Sequence, residues 1–218
     1  MRPLTLTKPK TLLEVSGKPI LEHIFDSLPD EIGEVVLVVG YFKEQIMAYC
    51  GREFKGRKIH YAFQDGEEYG TWVGLLAAKQ FLGDNKFLVL VGDDIIDRDS
   101  IKNCLKHDFA VLAKEHPEPK KFGVIVSDNN RKILKFIEKP EVPPSNLVNT
   151  GMNVLDSRIF NYPPSKHANG EFYLVDAVSQ LMRDYDVFVE RAHFWFPIGT
   201  PEDLTRADEY FKILTGKV

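Results

Sequence analysis

The chain has 218 residues, of which 44% are hydrophobic and 28% are charged, a composition typical of one large globular domain. The formal net charge of −4 argues against nucleic acid or an acidic membrane surface as a partner, and no apolar run has the length of a membrane helix. The two cysteines, Cys50 and Cys104, lie far apart without metal-binding spacing, so we expect two buried reduced thiols and a cytoplasmic protein.

The first half of the sequence alternates between strand and helix patterns. Residues 1–10 suit neither, and a helix is expected to open at Pro19. Continuous β-branched and apolar runs at residues 34–39 and 86–91 predict strands that are buried on both faces. Further strands are predicted at residues 58–64 and 109–113, and further helices at residues 43–50, 71–81 and 100–106. This order is typical of an α/β fold with a doubly wound, mostly parallel sheet.

The second half changes character and favours antiparallel additions to that sheet. Turn residues such as Asp128, Asn129 and Asn130 separate short strand patterns, which is typical of hairpins. The predicted elements are strands at residues 123–127, 133–138, 147–155, 187–191 and 194–197, and helices at residues 172–185 and 202–214. The proline-rich stretches between them are too short to be domain linkers, so residues 1–218 are predicted to form a single domain.

A pair of carboxylates, Asp93 and Asp94, directly follows the most apolar predicted strand. Ligands of open α/β sheets bind at the carboxyl ends of the strands, so this position suits a functional side chain. A carboxylate there could hold Mg²⁺ together with substrate phosphates. The structural alternative is that one of the two aspartates only caps the next turn.

Several short motifs occur in a fixed order over almost the whole chain. They are Pro9-Lys10 followed by Leu12-Leu13, Gly92-Asp93, Phe122-Gly123, Glu138-Lys139-Pro140, Asn149-Thr150-Gly151 and Gly170-Glu171 with Tyr173. Each motif alone could be a turn or a surface ion pair. Together and in this order they closely resemble the sugar-1-phosphate nucleotidyltransferases, whose fold is Rossmann-like.

The resemblance implies that residues 1–114 form a nucleotide-binding half. Lys10 would contact phosphate as a compact cation and would be catalytic, and Gln64 would pair with the edge of the base. Gly70 and Thr71 would let the backbone approach the nucleotide at a helix start, where N–H groups attract phosphate. In the family the aspartate of the Gly-Asp motif is a metal ligand, so Asp93 is expected to be catalytic and to bind Mg²⁺.

Residues 115–218 would form the sugar-phosphate-binding half. By resemblance, Glu138 takes a sugar hydroxyl, Lys139 meets the phosphate of the sugar, and Asn149 bonds the sugar. The full set assigned to this half is Gly123, Glu138, Lys139, Asn149 and Glu171. The expected substrates are therefore a nucleoside triphosphate and a sugar 1-phosphate, and the expected products are an NDP-sugar and pyrophosphate. Neither base nor sugar follows from the sequence, although uridylyl or thymidylyl transfer is favoured.

The sequence departs from the family pattern in two places. The strand and glycine-rich loop that come first in the family have no counterpart before the Lys10 motif, and Pro197 stands where the family often has a second metal-binding aspartate. Without that first strand, we expect a slot in the sheet that is either empty or filled by another segment, with a possible homo-oligomer formed through it. Two alternatives stay open: a truncated or degenerate homologue that binds without catalysis, and a nucleotide-sugar-dependent glycosyltransferase, in which Lys10 and Glu138-Lys139 would have no purpose.

Overall fold

The computed structural model describes residues 1–64 and 66–214, which form six helices and thirteen strands. The strands are β1 (Glu14–Val15), β2 (Lys18–Pro19), β3 (Glu34–Val39), β4 (Glu53–Phe54), β5 (Arg57–Phe63), β6 (Phe87–Val89), β7 (Asp94–Ile96), β8 (Ala110–Glu115), β9 (Gly123–Ser127), β10 (Ile133–Glu138), β11 (Leu147–Leu155), β12 (Phe188–Arg191) and β13 (Trp195–Pro197). The helices are α1 (Ile20–Ser27), α2 (Lys43–Cys50), α3 (Thr71–Leu82), α4 (Arg98–Cys104), α5 (Leu174–Leu181) and α6 (Pro201–Leu214).

The strands form mixed sheets, and the predicted α/β class is confirmed. The central sheet has the order β10-β9-β11-β8-β12, and β6 pairs with the carboxyl-terminal end of β11. Strands β3 and β5 pair in parallel, as do β8 and β12, whereas β9, β10 and β11 are antiparallel to their neighbours. The second half therefore adds antiparallel strands, as its hairpin signals predict.

The two faces of the central sheet are covered by different helices. Helices α3 and α5 pack on one face, where their apolar side chains meet alternate residues of β8, β11 and β12. Helix α4 packs on the other face together with Trp195 and Met152. Cys50 and Cys104 are both buried and free, as predicted. Among the described helices, none combines the length and the apolar character that crossing a membrane requires.

The predicted helix at residues 172–185 is shorter at both ends in the structure: it begins at Leu174, because Tyr173 is extended, and it ends at Leu181. The Phe172 N–H donates to the Tyr69 carbonyl (3.0 Å), and the Phe172 carbonyl accepts from the Trp72 N–H (3.1 Å). Phe172 thus links α3 to α5 and cannot join a helix. The sequence does not predict strand β7. Its three residues pair with β13, about 100 positions away in the sequence, so no pattern of neighbouring residues indicates a strand there.

A gap separates the sheet of β3 from the sheet of β6. Within residues 1–64 and 66–214, β3 pairs with β5 alone and β6 pairs with β11 alone, so each has one edge without a strand. Leu37 of β3 and Leu88 of β6 nevertheless pack against the same apolar cluster, which includes Leu12 and Phe25. Both strands thus contact one cluster, and a slot of the sheet between them stays a prediction.

Asp97 connects α4 to the segment before β13. One oxygen of its carboxylate accepts from the Ser100 N–H (2.8 Å), and the other accepts from the Ser100 hydroxyl (2.6 Å) and the Phe194 N–H (2.9 Å). Burial opposes the charge of Asp97, but these hydrogen bonds outweigh it and lower the pKa of the carboxyl. The carboxylate therefore stabilises the fold above the pKa of the unfolded chain, and this contribution is lost as the pH falls through the lower folded pKa.

We expect Asp97→Ala to lower the free energy of unfolding by about 2 kcal/mol at pH 7, since it removes a helix cap and leaves N–H groups unpaired. Asp97→Asn should cost less at pH 7, because its amide oxygen still accepts hydrogen bonds, and its deficit should shrink below about pH 4. Urea unfolding at pH 7 and pH 3.5 measures both differences. Asp99→Ala is the matched control, since Asp99 is exposed on the same helix. An equal loss from Asp99→Ala would contradict the assignment to the cap.

Candidate active site

A cavity of about 400 Å³ lies where β6 and β10 end, beside the middle of β11 and the start of β9, and where α3 and α5 begin. Eight of the ten predicted site residues line it: Gly70, Thr71, Asp93, Gly123, Glu138, Lys139, Asn149 and Glu171. Lys10 and Gln64 stand outside this lining. The fold thus brings together residues from both predicted halves of the chain, which are up to 101 positions apart in the sequence.

Lys10 and Asp93 form an ion pair at one side of the cavity. Lys10 begins a short 3₁₀ turn whose buried Leu12 anchors it in the core. A Cβ on Gly92 would lie 3.0 Å from the Thr11 side chain, so the glycine allows the two segments to approach closely. Lys10 also lines a neighbouring cavity of about 500 Å³ between residues 1–11 and the carboxyl end of β3. The pair therefore stands at the junction of two cavities.

Asp94 is held differently from Asp93. Its Oδ2 accepts a hydrogen bond from Trp195 Nε1 at 2.7 Å, and Pro197 is its partner across the pairing of β7 with β13. Burial first, and then the charge of Asp93, raise the pKa of the Asp94 carboxyl. Asp94 is thereby engaged with the protein, whereas the side chain of Asp93 is 37% exposed. Pro197 has no side-chain ligand to offer at this point.

Glu138 and Lys139 lie where β10 ends, and both line the cavity. Lys139 Nζ donates to the Tyr173 hydroxyl at 3.2 Å and lies 3.4 Å from a Glu138 oxygen. Burial raises the pKa of Glu138, which is only 9% exposed. Burial opposes the charge of Lys139, but the Tyr173 hydrogen bond and Glu138 outweigh it and raise the pKa of this amine. Lys139 also has a positive φ of 40°, a conformation found at sites where a side chain must be aimed.

Gly70 and Thr71 connect α3 to the start of α5. Gly70 has φ +122°, and a Cβ there would lie 2.3 Å from the Phe172 carbonyl oxygen, so only glycine fits. The Thr71 hydroxyl accepts from the Leu174 N–H at 2.9 Å. Both residues thus have structural roles beside their position on the cavity wall, and an approach of a nucleotide to them stays a prediction.

Gln64 follows β5 and lies beside the amino-terminal part of α3. Its N–H donates to the Val39 carbonyl at the end of β3 (3.0 Å). Its side-chain oxygen lies 3.8 Å from where a Cβ on Gly74 would be. The amide is thus near the ends of two parallel strands, which is the edge where ligands of such sheets bind. Its pairing with a base stays a prediction.

Tyr173, Trp195 and Asn153 are among the residues of the cavity wall to which the sequence assigns no role. Tyr173 was in the last motif, yet its bond to Lys139 depends on how β10 and α5 pack. Trp195 was noted only as part of the segment around Pro197. Asn153 lies in a predicted buried strand, and no local signal separates it from its apolar neighbours.

The donor set fits a divalent cation that is shared with substrate phosphates. Among the described residues, no group of three or more His, Cys, Asp and Glu side chains could hold a metal by itself. Mg²⁺ in nucleotide sites usually needs only one or two carboxylates, because phosphates and water complete its shell. Asp93 offers such a carboxylate at the cavity wall, beside the cation of Lys10.

Comparisons with known proteins agree with the motifs. The family model described as nucleotidyl transferase matches residues 1–212. The chain is 37% identical over 213 residues to the bifunctional protein GlmU of Methanocaldococcus jannaschii, a match that covers 96% of this chain and 51% of that protein. It is 38% identical over 223 residues to the UTP–glucose-1-phosphate uridylyltransferase AglF of Haloferax volcanii, covering 96% of this chain and 90% of that protein. The chain thus spans about half the length of several curated relatives that it matches.

Solved structures show the same fold. A Bacillus anthracis structure described as a glucose-1-phosphate thymidylyltransferase in complex with sucrose has a TM-score of 0.84 and 26% identity, covering 96% of this chain and 89% of that one. A UDP-glucose pyrophosphorylase complexed with UDP-glucose has a TM-score of 0.85, covering 98% of this chain and 94% of that one. Its identity of 20% supports similarity of fold alone.

Proposed function

Because the chain belongs to the nucleotidyl transferase family, we propose that it transfers a nucleotidyl group from a nucleoside triphosphate to a sugar 1-phosphate. The products would be an NDP-sugar and pyrophosphate. The observation that carries this proposal is the Lys10–Asp93 pair at the junction of two cavities, with Lys139 and Glu138 across one of them. The names of the AglF relative and of the Bacillus anthracis structure support the same reaction class.

In this reaction an oxygen of the sugar phosphate attacks the α-phosphorus of the triphosphate. A new P–O bond forms, the bond to the bridging α–β oxygen breaks, and pyrophosphate leaves with that electron pair. Such transfers depend on positioning and on neutralising phosphate charge. Lys10 supplies a positive charge between the cavities, where the α-phosphate would lie. Mg²⁺, held by Asp93, would neutralise further phosphate charge.

The 400 Å³ cavity would hold the sugar 1-phosphate. Lys139 would bind its phosphate by a charge-assisted hydrogen bond, since Tyr173 and Glu138 keep the amine charged. Glu138, Asn149 and Glu171 line the same cavity and would bind hydroxyl groups of the ring. Gly123 leaves room beside Glu138, because a Cβ there would lie 3.2 Å from its carboxylate.

The base would be a pyrimidine. The Gln64 amide can donate and accept at once, which suits the edge of uracil or thymine, and Gly70 and Thr71 would bring backbone to the nucleotide. Relatives named for uridylyl and thymidylyl transfer support this preference. Among the described residues, β3 and β6 each have one edge without a strand partner, which supports a homo-oligomer. The buried reduced thiols support a cytoplasmic location.

A pyrophosphate-release screen tests the proposal. The purified chain is incubated with each of four nucleoside triphosphates and a panel of sugar 1-phosphates, with Mg²⁺ or with EDTA. We expect Mg²⁺-dependent release with UTP or dTTP, and an NDP-sugar detectable by mass spectrometry. A folded chain that binds nucleotide but releases no pyrophosphate with any pair would contradict the proposal and support the non-catalytic alternative.

A further inference from the structure

Asn153 is a buried polar residue on the wall of the 400 Å³ cavity. It is 3% exposed, and among the described residues its side-chain oxygen has no hydrogen-bond partner. Such an orphan is unusual, because a buried acceptor without a partner costs free energy of the order of a lost hydrogen bond. Its neighbours across the sheet are Val89 and Val111, which offer no side-chain donor.

A bulge in β11 places Asn153 beside Asn149. Asn149 lies opposite Ala113 and Asn153 lies opposite Val111, so three intervening residues of β11 face a single residue of β8. Ala113 and Val111 are two positions apart and point to the same face of the sheet. The two asparagines therefore share that face at a separation of about 7 Å, the spacing of one pleat repeat.

The bulge is built from specific residues. Gly151 has φ +80°, and a Cβ there would lie 2.7 Å from the Val91 side chain, so the position requires glycine. The Thr150 hydroxyl donates to the Leu112 carbonyl at 3.0 Å, and Met152 packs into the opposite face of the sheet. The chain is thus held in a conformation that brings a second carboxamide to the cavity.

The two carboxamides offer complementary groups. The Asn149 oxygen accepts from the Gly151 N–H at 2.9 Å, so its NH₂ group is the end left for a ligand. The Asn153 oxygen is unpaired, so Asn153 offers an acceptor. A donor and an acceptor on one wall can bond different groups of one sugar ring, with a hydroxyl or amide N–H placed over Asn153.

We infer that Asn153 is a specificity-determining residue for the sugar ring, and that its carbonyl oxygen accepts a hydrogen bond from one hydroxyl or amide N–H of a sugar 1-phosphate. This inference rests on the proposed function. A ligand lacking that single donor leaves the Asn153 oxygen buried and unpaired. Sites built to hydrogen-bond a substrate discriminate strongly against analogues that lack the partner group.

Asn153→Leu tests the inference, since leucine has nearly the same shape and removes both polar atoms. We expect the KM for the sugar 1-phosphate to rise about five- to twentyfold, with the KM for the triphosphate unchanged. The thermal stability should be equal or higher, because a buried orphan has been removed. Asn146→Leu is the matched control, since Asn146 is exposed and lines a different cavity. It should change neither KM.

A set of monodeoxy sugar 1-phosphates identifies the donor. The wild-type chain should disfavour one analogue by about tenfold or more, and Asn153→Leu should lose that preference at the same ring position alone. Unchanged sugar KM and unchanged analogue preference in an active variant would overturn the inference and leave the proposed function intact. If the wild-type chain releases no pyrophosphate, calorimetric titration with the same sugar phosphates takes the place of kinetics. No binding, or equal binding by both variants, would then overturn the inference separately from the failure of the enzyme assay.

Discussion

Asp93→Asn is expected to lower kcat by about 10²- to 10³-fold, because it removes the carboxylate charge that would hold Mg²⁺ against the substrate phosphates. The change is nearly isosteric, and Asp93 is partly exposed, so the fold should be preserved. Pyrophosphate release measured across a Mg²⁺ titration should show a weaker and right-shifted dependence on the cation. Thermal unfolding of the same samples checks that the protein is folded.

Asp94→Asn is the matched control for this experiment. The amide oxygen of asparagine can still accept the hydrogen bond from Trp195 Nε1, so the tie between β7 and β13 is kept. We therefore expect turnover and Mg²⁺ dependence close to those of the wild type. The opposite pattern, with Asp94→Asn inactive and Asp93→Asn active, would assign the cation to Asp94, which lines the same cavity, and would overturn the role of Asp93.

The site residues that the sequence predicted are those that sit in short local motifs. Asp93 follows an apolar strand, and Glu138 and Lys139 end another, so strand patterns alone place them at the edge of a sheet where ligands bind. Eight of the ten predicted residues line one cavity. The family resemblance gives the order of their motifs along the chain, whereas their proximity in space depends on the fold. Their individual roles stay predictions, as does the division of the chain at residue 114.

The features that escaped prediction depend on contacts between distant segments. The hydrogen bond from Trp195 to Asp94 joins residues 101 positions apart, and the orphan oxygen of Asn153 depends on a bulge in the register of β11 with β8. The hydrophobic periods of strands (two residues) and helices (3.6 residues) indicate local structure only and do not predict such long-range contacts. Phe172 likewise precedes helical residues in the sequence. Its backbone hydrogen bonds with Trp72 of α3 and with Tyr69, which precedes α3, keep it out of the helix.

Strands β3 and β6 show where the pattern of the sequence and the fold differ. The continuous apolar runs predict that both strands are buried on both faces, and this is wrong: of their residues only Val39 is buried, and Val38 is 38% exposed. Each strand has only one neighbour within the described residues, and their side chains meet instead through the cluster around Phe25.

Lys139→Met should raise the KM for the sugar 1-phosphate roughly ten- to hundredfold and leave the KM for the triphosphate within about twofold of the wild type. Methionine keeps the apolar stem that packs on the Tyr173 ring, where Lys139 Nζ lies 4.7 Å from the ring centroid, so the loss is of charge rather than of packing. A single charge-assisted phosphate contact contributes about 1.5–3 kcal/mol, which corresponds to this range of affinity.

Lys121→Met provides the comparison that separates a placed charge from a nearby one. Lys121 also lines the cavity, but its amine pairs with Glu118 three residues away and its side chain is 64% exposed. Exposed charges contribute little, so this variant should change the sugar-phosphate KM by less than about threefold. Initial rates with each substrate varied in turn measure both constants for both variants. Equal increases in the two KM values for Lys139→Met would place this lysine between the substrates, where Lys10 lies, and would overturn its assignment to the sugar phosphate.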